Sequence, residues 1–126
     1  MKKNLKQFLP LHLQKGHNAE DVAEKYLINQ GLLTIKRNYS CRSGEIDLLM
    51  LDADTLAFIE VRFRSNPFFG SPAESITRQK IERLRKSAEH FLQTHRKYTH
   101  YYKRFDVMAI SAQSVKPEIL WIKDAF

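Results

Sequence analysis

Two acids stand inside apolar strand patterns, and their chemistry is the best clue to what this chain does. Asp47 lies in Gly44-Glu45-Ile46-Asp47-Leu48-Leu49, and Glu60 lies in Phe58-Ile59-Glu60-Val61-Arg62. A carboxylate in an apolar setting is expensive unless a cation or hydrogen-bond donors compensate it. A divalent metal is one such cation, because Mg²⁺ takes one or two carboxylates together with waters and phosphate oxygens. The plainer alternative lies within the chain. Arg62 is two residues from Glu60 on the same strand face, and could pair with Asp47 or Glu60 in a surface ion-pair cluster on a solvated sheet.

The elements that position these acids follow from counting. Apolar and β-branched residues run from Ile46 to Leu51 and from Leu56 to Val61, with Asp52-Ala53-Asp54-Thr55 between them. The pattern predicts a β-hairpin with a tight polar turn. A turn centred on Ala53 and Asp54 sets Leu51 opposite Leu56, Leu49 opposite Phe58, Asp47 opposite Glu60 and Glu45 opposite Arg62, all on one face. Facing Cβ atoms are about 5 Å apart, and like charges so placed repel. Leu49, Leu51, Leu56 and Phe58 make the inner part of that face apolar, so the acids sit where apolar packing ends.

The rest of the chain frames the hairpin. Ala19, Val22, Ala23, Tyr26 and Leu27 recur at helical spacing from His17 to Gln30, with Gly31 as the stop. Glu20 borders that apolar stripe, whereas Glu24 projects further outward. Leu32 to Asn38 predicts a strand and Ser40 to Gly44 its turn. The proline- and glycine-rich run from Asn66 to Pro72 predicts a loop, and Thr77 an N-cap for a second helix that buries Ile81, Leu84, Ala88, Phe91 and Leu92. The other flank of that helix carries Arg78, Lys80, Arg83, Arg85 and Lys86. Phe105 to Ile110 and Ile119 to Lys123 are the last two strands. The order helix, three strands, helix, two strands suits an α/β domain with helices on a mixed sheet.

Composition bounds the partners. The chain of 126 residues fits one domain with a real core. Its 21 lysines and arginines against 14 acids give a net charge of +7 and a pI near 9.6, which favours polyanionic partners such as nucleic acid or an anionic membrane surface. Cys41 is the only cysteine, excluding an intramolecular disulfide and a cysteine-built zinc site, and a cytoplasmic setting is the simplest expectation. Phe8-Leu9-Pro10-Leu11-His12-Leu13 is too short and broken for a secretory core, and no run approaches a membrane span. Residues 1–16 read as a mobile basic arm, with docking on the domain through Phe8, Leu9 and Leu11 as the alternative, before a single domain at 17–126. His12, His17, His90, His95 and His100 lack metal-ligand spacing, and His95 falls on the buried stripe of its helix. Asp106, in an apolar strand, is a candidate structural partner for Arg104 or another base. Tyr98, Tyr101 and Tyr102 could stack on bases but more commonly pack. There is no glycine-rich phosphate loop.

The whole set of residues resembles a known group. A helix bearing Glu20, then Gly44-Glu45-Ile46-Asp47, then Phe58-Ile59-Glu60-Val61-Arg62, then a loop and a helix carrying Lys80, resembles the PD-(D/E)XK nuclease superfamily. More closely, the chain is similar to the YraN family of bacterial endonuclease-like proteins from about Gly16 to its terminus. The similarity takes in Phe69-Gly70, Arg104-Phe105-Asp106-Val107 and Trp121-Ile122-Lys123-Asp124-Ala125-Phe126. The resemblance implies a restriction-endonuclease-like core and a metal site, for Mg²⁺ or Mn²⁺, formed by Asp47, Glu60 and the Val61 carbonyl with Glu20 beside them. It implies hydrolysis of phosphodiester bonds in DNA, including branched or structured forms, in preference to RNA. Arg62, Arg64, Arg78, Lys80 and Arg83 would meet phosphate, and a homodimer would suit cutting of both strands. Membranes are not an expected partner.

One position departs from the superfamily pattern. The usual lysine two residues after the second acid is Arg62, too basic to accept a proton but well suited to bidentate phosphate contact. Lys80 is the candidate to supply an ammonium in its place, so Asp47, Glu60, Arg62 and Lys80 are the candidate catalytic set. Two other classes compete: a module of the same fold that holds nucleic acid without cutting it, and a scaffold whose charges only form ion pairs. Affinity that falls steeply with salt separates the scaffold from the other two.

Overall fold

The computed structural model describes residues 17–64, 72–111 and 118–126. Helical spacing in the first segment produces α1 (His17–Asn29), which buries Ala19, Val22, Ala23 and Leu27. It stops as the glycine predicts. Gly31 has φ +102°, the Leu32 N–H donates to the Leu27 carbonyl at 3.0 Å, and the Gly31 N–H donates to the Ile28 carbonyl at 2.9 Å. This is a Schellman ending, closed by the apolar residues Leu27 and Leu32, both buried.

Five strands follow: β1 (Leu33–Cys41), β2 (Gly44–Asp52), β3 (Thr55–Arg64), β4 (Tyr102–Ser111) and β5 (Glu118–Ile122). They lie in chain order in one sheet, antiparallel except for the parallel pair β3 and β4. A parallel pair needs a crossover, and α2 (Arg78–Thr94) provides it. Thr77 caps α2 as expected, its Oγ1 accepting the Lys80 N–H at 3.1 Å. The chain is thus an α/β domain in the predicted order, with a mixed sheet between two helices. β1 runs three residues past the expected Asn38, which confines the turn to Arg42 and Ser43.

Each helix covers one face of the sheet. α1 packs on Leu48, Met50, Ala57, Ile59, Met108 and Ile110. α2 brings Leu84, Ala88 and Phe91 onto Ile46, Leu49, Leu56 and Phe58. Full burial of each leucine, isoleucine, methionine or phenylalanine among them contributes about 1.5–3 kcal/mol. Ile81 and Leu92, expected inside, are only partly buried, and the small Ser87 is buried instead. With both faces covered, β2 and β3 are nearly continuous apolar runs. That is why an acid within them is conspicuous.

A twist in β1 and β2 breaks the simple alternation. Arg37 and Leu48 are partners and Tyr39 and Ile46 are partners, so in regular strands all four side chains would share a face. Leu48 instead lies in the α1 core, while Ile46 and Tyr39 lie in the α2 core. The reversal occurs between them, at Asn38 and Asp47, where Asn38 has φ +53°. Asparagine tolerates that left-handed conformation better than most residues. A second irregularity, at Ile35, shifts the register by one.

The buried Asp106 anchors the C-terminal end. Its carboxylate accepts from Arg104 at 2.8 and 2.9 Å, from Trp121 Nε1 at 3.0 Å and from the Asp124 N–H at 3.0 Å. Arg104 also reaches Asp52 at 2.9 Å, and the Ala125 N–H reaches the Phe105 carbonyl at 2.7 Å. Asp106 is therefore the structural partner of Arg104 that its strand setting suggests. The N-terminal arm, most of the 66–72 loop and Phe69-Gly70 lie outside the described residues.

Candidate metal centre

The hairpin has the predicted register as far as it stays regular. Leu51 pairs with Leu56 and Leu49 with Phe58 around a turn in which Ala53 has φ +54°. The last regular pair is Leu48 with Ile59. The next pair expected, Asp47 with Glu60, is not part of the ladder, nor is Glu45 with Arg62. The twist at Asp47 is the reason. Its carboxylate, rather than a main-chain carbonyl, accepts the Val61 N–H at 2.8 Å. The acids are neighbours as the register argument requires, but through their side chains.

Glu60 is buried, only 5 % exposed, and its Oε1 has no hydrogen-bond donor. Two cations approach Oε2: Lys80 Nζ at 3.5 Å and Arg62 Nη1 at 4.0 Å. Asp47 is within hydrogen-bonding reach, but two carboxylates offer only acceptors, so a proton or a cation must stand between them. Burial first, and then the charge of Asp47, push the Glu60 pKa up to about 7, against the pull of Lys80 and Arg62. Burial also raises Asp47, opposed chiefly by the Val61 N–H and then by Lys80.

Glu20 is the third acid. It projects from α1 toward Asp47, and burial followed by the Asp47 charge raises its pKa, while the Asn38 side chain and Arg37 oppose the rise. The strand twist makes this meeting possible, because Asp47 stands where the α1 and α2 faces exchange. Glu20, Asp47 and Glu60 thus form a chain of carboxyls from one side of the sheet to the other. Glu24 is not the outward residue the helical projection predicts. Its side chain is 18 % exposed, like that of Glu20 at 17 %, because Arg37 at 3.2 Å and Thr34 at 2.6 Å hold it against β1.

The donor set can be tested for a metal. Among the described residues, no group of three or more His, Cys, Asp or Glu side chains is arranged to hold an ion. What is present is a buried carboxylate, Glu60, with an orphaned oxygen, next to the half-buried Asp47, which is held by the Val61 backbone. Two carboxylates and a carbonyl leave room for waters and phosphate oxygens, the open oxygen set that suits magnesium or manganese. The residues fit such an ion.

The other candidate residues divide. Lys80 is brought to the acids and Arg62 bridges from Glu60 to Ser75, whose Oγ is 3.2 Å from Arg62 Nη2. Arg64, Arg78 and Arg83 are exposed. Tyr98 and Tyr101 pack against the α2 core, whereas Tyr102 is 71 % exposed at the start of β4. His95 caps the C-terminus of α2 and stacks on Phe91 at 4.1 Å, and His90 is hydrogen-bonded to Tyr39. The sequence reading overlooked Arg37, Asn38 and Ser75. Asparagine is depleted in strands, so Asn38 within a strand pattern was an available signal.

Comparison with known proteins places this chain. A family described as "Uncharacterised protein family UPF0102" matches residues 19–110, a span that includes Glu20, Asp47, Glu60, Arg62 and Lys80. The chain belongs to this family. It is the YraN family that the sequence resembles. A UPF0102 protein of Methylobacillus flagellatus is 49% identical over 113 residues, covering 90% of this chain and 96% of that protein. One of Psychromonas ingrahamii is 45% identical over 122 residues, covering 97% of each. One of Stutzerimonas stutzeri is 44% identical over 111 residues, covering 88% of this chain and 92% of that protein. Among the described residues of this UPF0102 chain, no helix is long and apolar enough to cross a membrane.

Proposed function

We propose that this UPF0102 protein is a divalent-metal-dependent nuclease that binds DNA, including branched or structured forms, and hydrolyses its phosphodiester bonds. The observation that carries the reading is the buried Glu60 set against the half-buried Asp47, in which Glu60 Oε1 has no donor and the partner at hand is another acceptor. Such an arrangement is costly alone and is relieved by a bound cation. Asp47 and Glu60 hold magnesium or manganese with the Val61 carbonyl, and Glu20 lies on the far side of Asp47. When bound, the ion lowers the pKa of a water and offsets charge on the phosphate. The Val61 N–H fixes the direction of the Asp47 carboxylate. Arg62 grips phosphate in a planar, bidentate way and does not take a proton. Lys80, 3.5 Å from Glu60, supplies the ammonium that the superfamily pattern places two residues after the second acid.

A binding module of the same fold is the second reading, and Arg62 is what favours it. An arginine at that position preserves phosphate contact while removing a group able to accept a proton. The deciding experiment is cleavage of labelled DNA and RNA, including junctions and flaps, in Mg²⁺ or Mn²⁺ by wild type, Asp47→Asn and Glu60→Gln. Metal-dependent cutting abolished by both substitutions supports the nuclease. Salt-dependent binding without cutting, unchanged by either substitution, moves the assignment to the binding module. Neither binding nor cutting leaves the scaffold.

A further inference from the structure

The rim of the acid pair is electrically lopsided. On one side, α1 carries Glu20, Asp21 and Glu24 against Lys25 alone. Arg37 is committed to all three of those acids, at 3.7, 2.7 and 3.2 Å respectively. On the other side, α2 carries five basic residues against Glu82 and Glu89. Lys80 faces Glu60, and Arg85 lies over the Phe105 ring at 5.5 Å. Arg83 is exposed, and among the described residues it has no ion pair.

The β1–β2 turn lies against the same stretch of α2. Cys41 Sγ is 3.5 Å from Ser87 Oγ. A Cβ built on Gly44 would lie 3.7 Å from Ser87 Oγ and 3.8 Å from the Cβ of Arg83. Gly44 has φ +144°, a conformation that favours glycine, and so the chain enters β2 while its backbone stays close to the helix. Arg42, between these two contacts, is exposed and has no ion pair among the described residues. Gly44 is three strand residues from Asp47, about 10 Å. Arg83 is close to one helical turn from Lys80, about 5 Å. Among the described residues, the uncommitted arginines nearest the acids therefore continue outward on the α2 side.

Resting on the nucleic-acid reading above, we infer that a strand bound at the acid pair leaves it on the α2 side, over Lys80 to Arg83 and Arg42, while the acidic α1 side turns phosphate away. Arg42 and the β1–β2 turn are thus part of the binding surface, and the path across the site has one direction. Phosphates neutralised by these arginines release counterions, so each contact adds to the salt dependence of binding.

The test is fluorescence anisotropy of short labelled DNA, single-stranded and duplex, over a potassium chloride series in EDTA, where no divalent-dependent step runs. Arg42→Gln and Arg83→Gln are each expected to weaken binding several-fold and to reduce the slope of log affinity against log salt by about 1. Arg42→Lys and Arg83→Lys should restore the slope. Lys25→Gln, on α1, should leave it unchanged, and all variants should melt with wild type because the positions are exposed. Wild-type binding with the Arg42 and Arg83 variants matching Lys25→Gln overturns this path and leaves the nucleic-acid reading standing. No salt-dependent binding by wild type, either in EDTA or with Ca²⁺ in its place, overturns both.

Discussion

Glu60 makes the folded protein sensitive to pH. Its pKa rises from the ordinary 4.5 to about 7 because burial and then Asp47 disfavour its charge. The folded state therefore holds a proton that the unfolded state loses near pH 4.5. The stability this contributes is fully present below about pH 4.5, declines as pH rises, and is gone above about pH 7. The total is on the order of 3 kcal/mol. Metal-free protein should melt at lower temperature at pH 8 than at pH 5, and Glu60→Gln should flatten that profile. If the acid pair holds magnesium as proposed, the ion should reverse the trend, raising the melting temperature more at pH 8, where the acids are ionised. A thermal-shift series over pH with and without the ion reads both effects. Lys80 belongs to the same balance. Its ammonium lowers both acids, so Lys80→Met should move the Glu60 titration above its wild-type midpoint, as read by carboxyl NMR.

At the scale of elements, the start of α2 links stability to the site. Thr77 accepts the Lys80 N–H, so the cap secures the turn that carries the lysine facing Glu60. Thr77→Ala should cost about 1 kcal/mol in chemical denaturation and Thr77→Asp much less. If the nuclease reading holds, Thr77→Ala should also reduce cleavage, because the Lys80 turn frays. At the end of α1, Gly31 has φ +102°, and Gly31→Ala should cost about 1–2 kcal/mol by forcing a Cβ into that region. No change at the acid pair should accompany it, since the Schellman ending lies away from those residues. Comparing the two variants by denaturation and by metal affinity separates element stability from site geometry.

At the scale of the whole molecule, Asp106 joins the strands to the C-terminal segment. It is fully buried and binds Arg104, Trp121 and the Asp124 N–H, and Arg104 carries the network on to Asp52 at the hairpin turn. Removing one partner of a buried pair leaves the other charge uncompensated. Asp106→Ala should therefore destabilise the protein by about 3–5 kcal/mol in urea unfolding, more than either helix-end variant. The same buried, paired chemistry that makes Asp106 structural distinguishes it from Glu60, which has cations on one oxygen and no donor on the other.

The helices, their stops and the hairpin were legible in the sequence because each rests on local rules: 3.6-residue spacing, a capping threonine, a glycine at a positive φ, alternation around a two-residue turn. The candidate acids were legible for the same reason, as charges in strand patterns that have no room for them. Three things were not. The parallel pairing of β3 with β4 joins segments far apart in the chain. The burial of Glu24 depends on Arg37, which reaches it from another element. The reversal of strand faces at Asn38 and Asp47, through which Glu20 meets Asp47 as the resemblance implied, is predicted by no regular alternation. The sequence by itself determined which residues carry charge and which local element holds each. Only the tertiary structure decided which charges meet, because in a folded sheet a carboxylate's environment is made by neighbours from other strands and helices, and those depend on packing rather than on spacing along the chain.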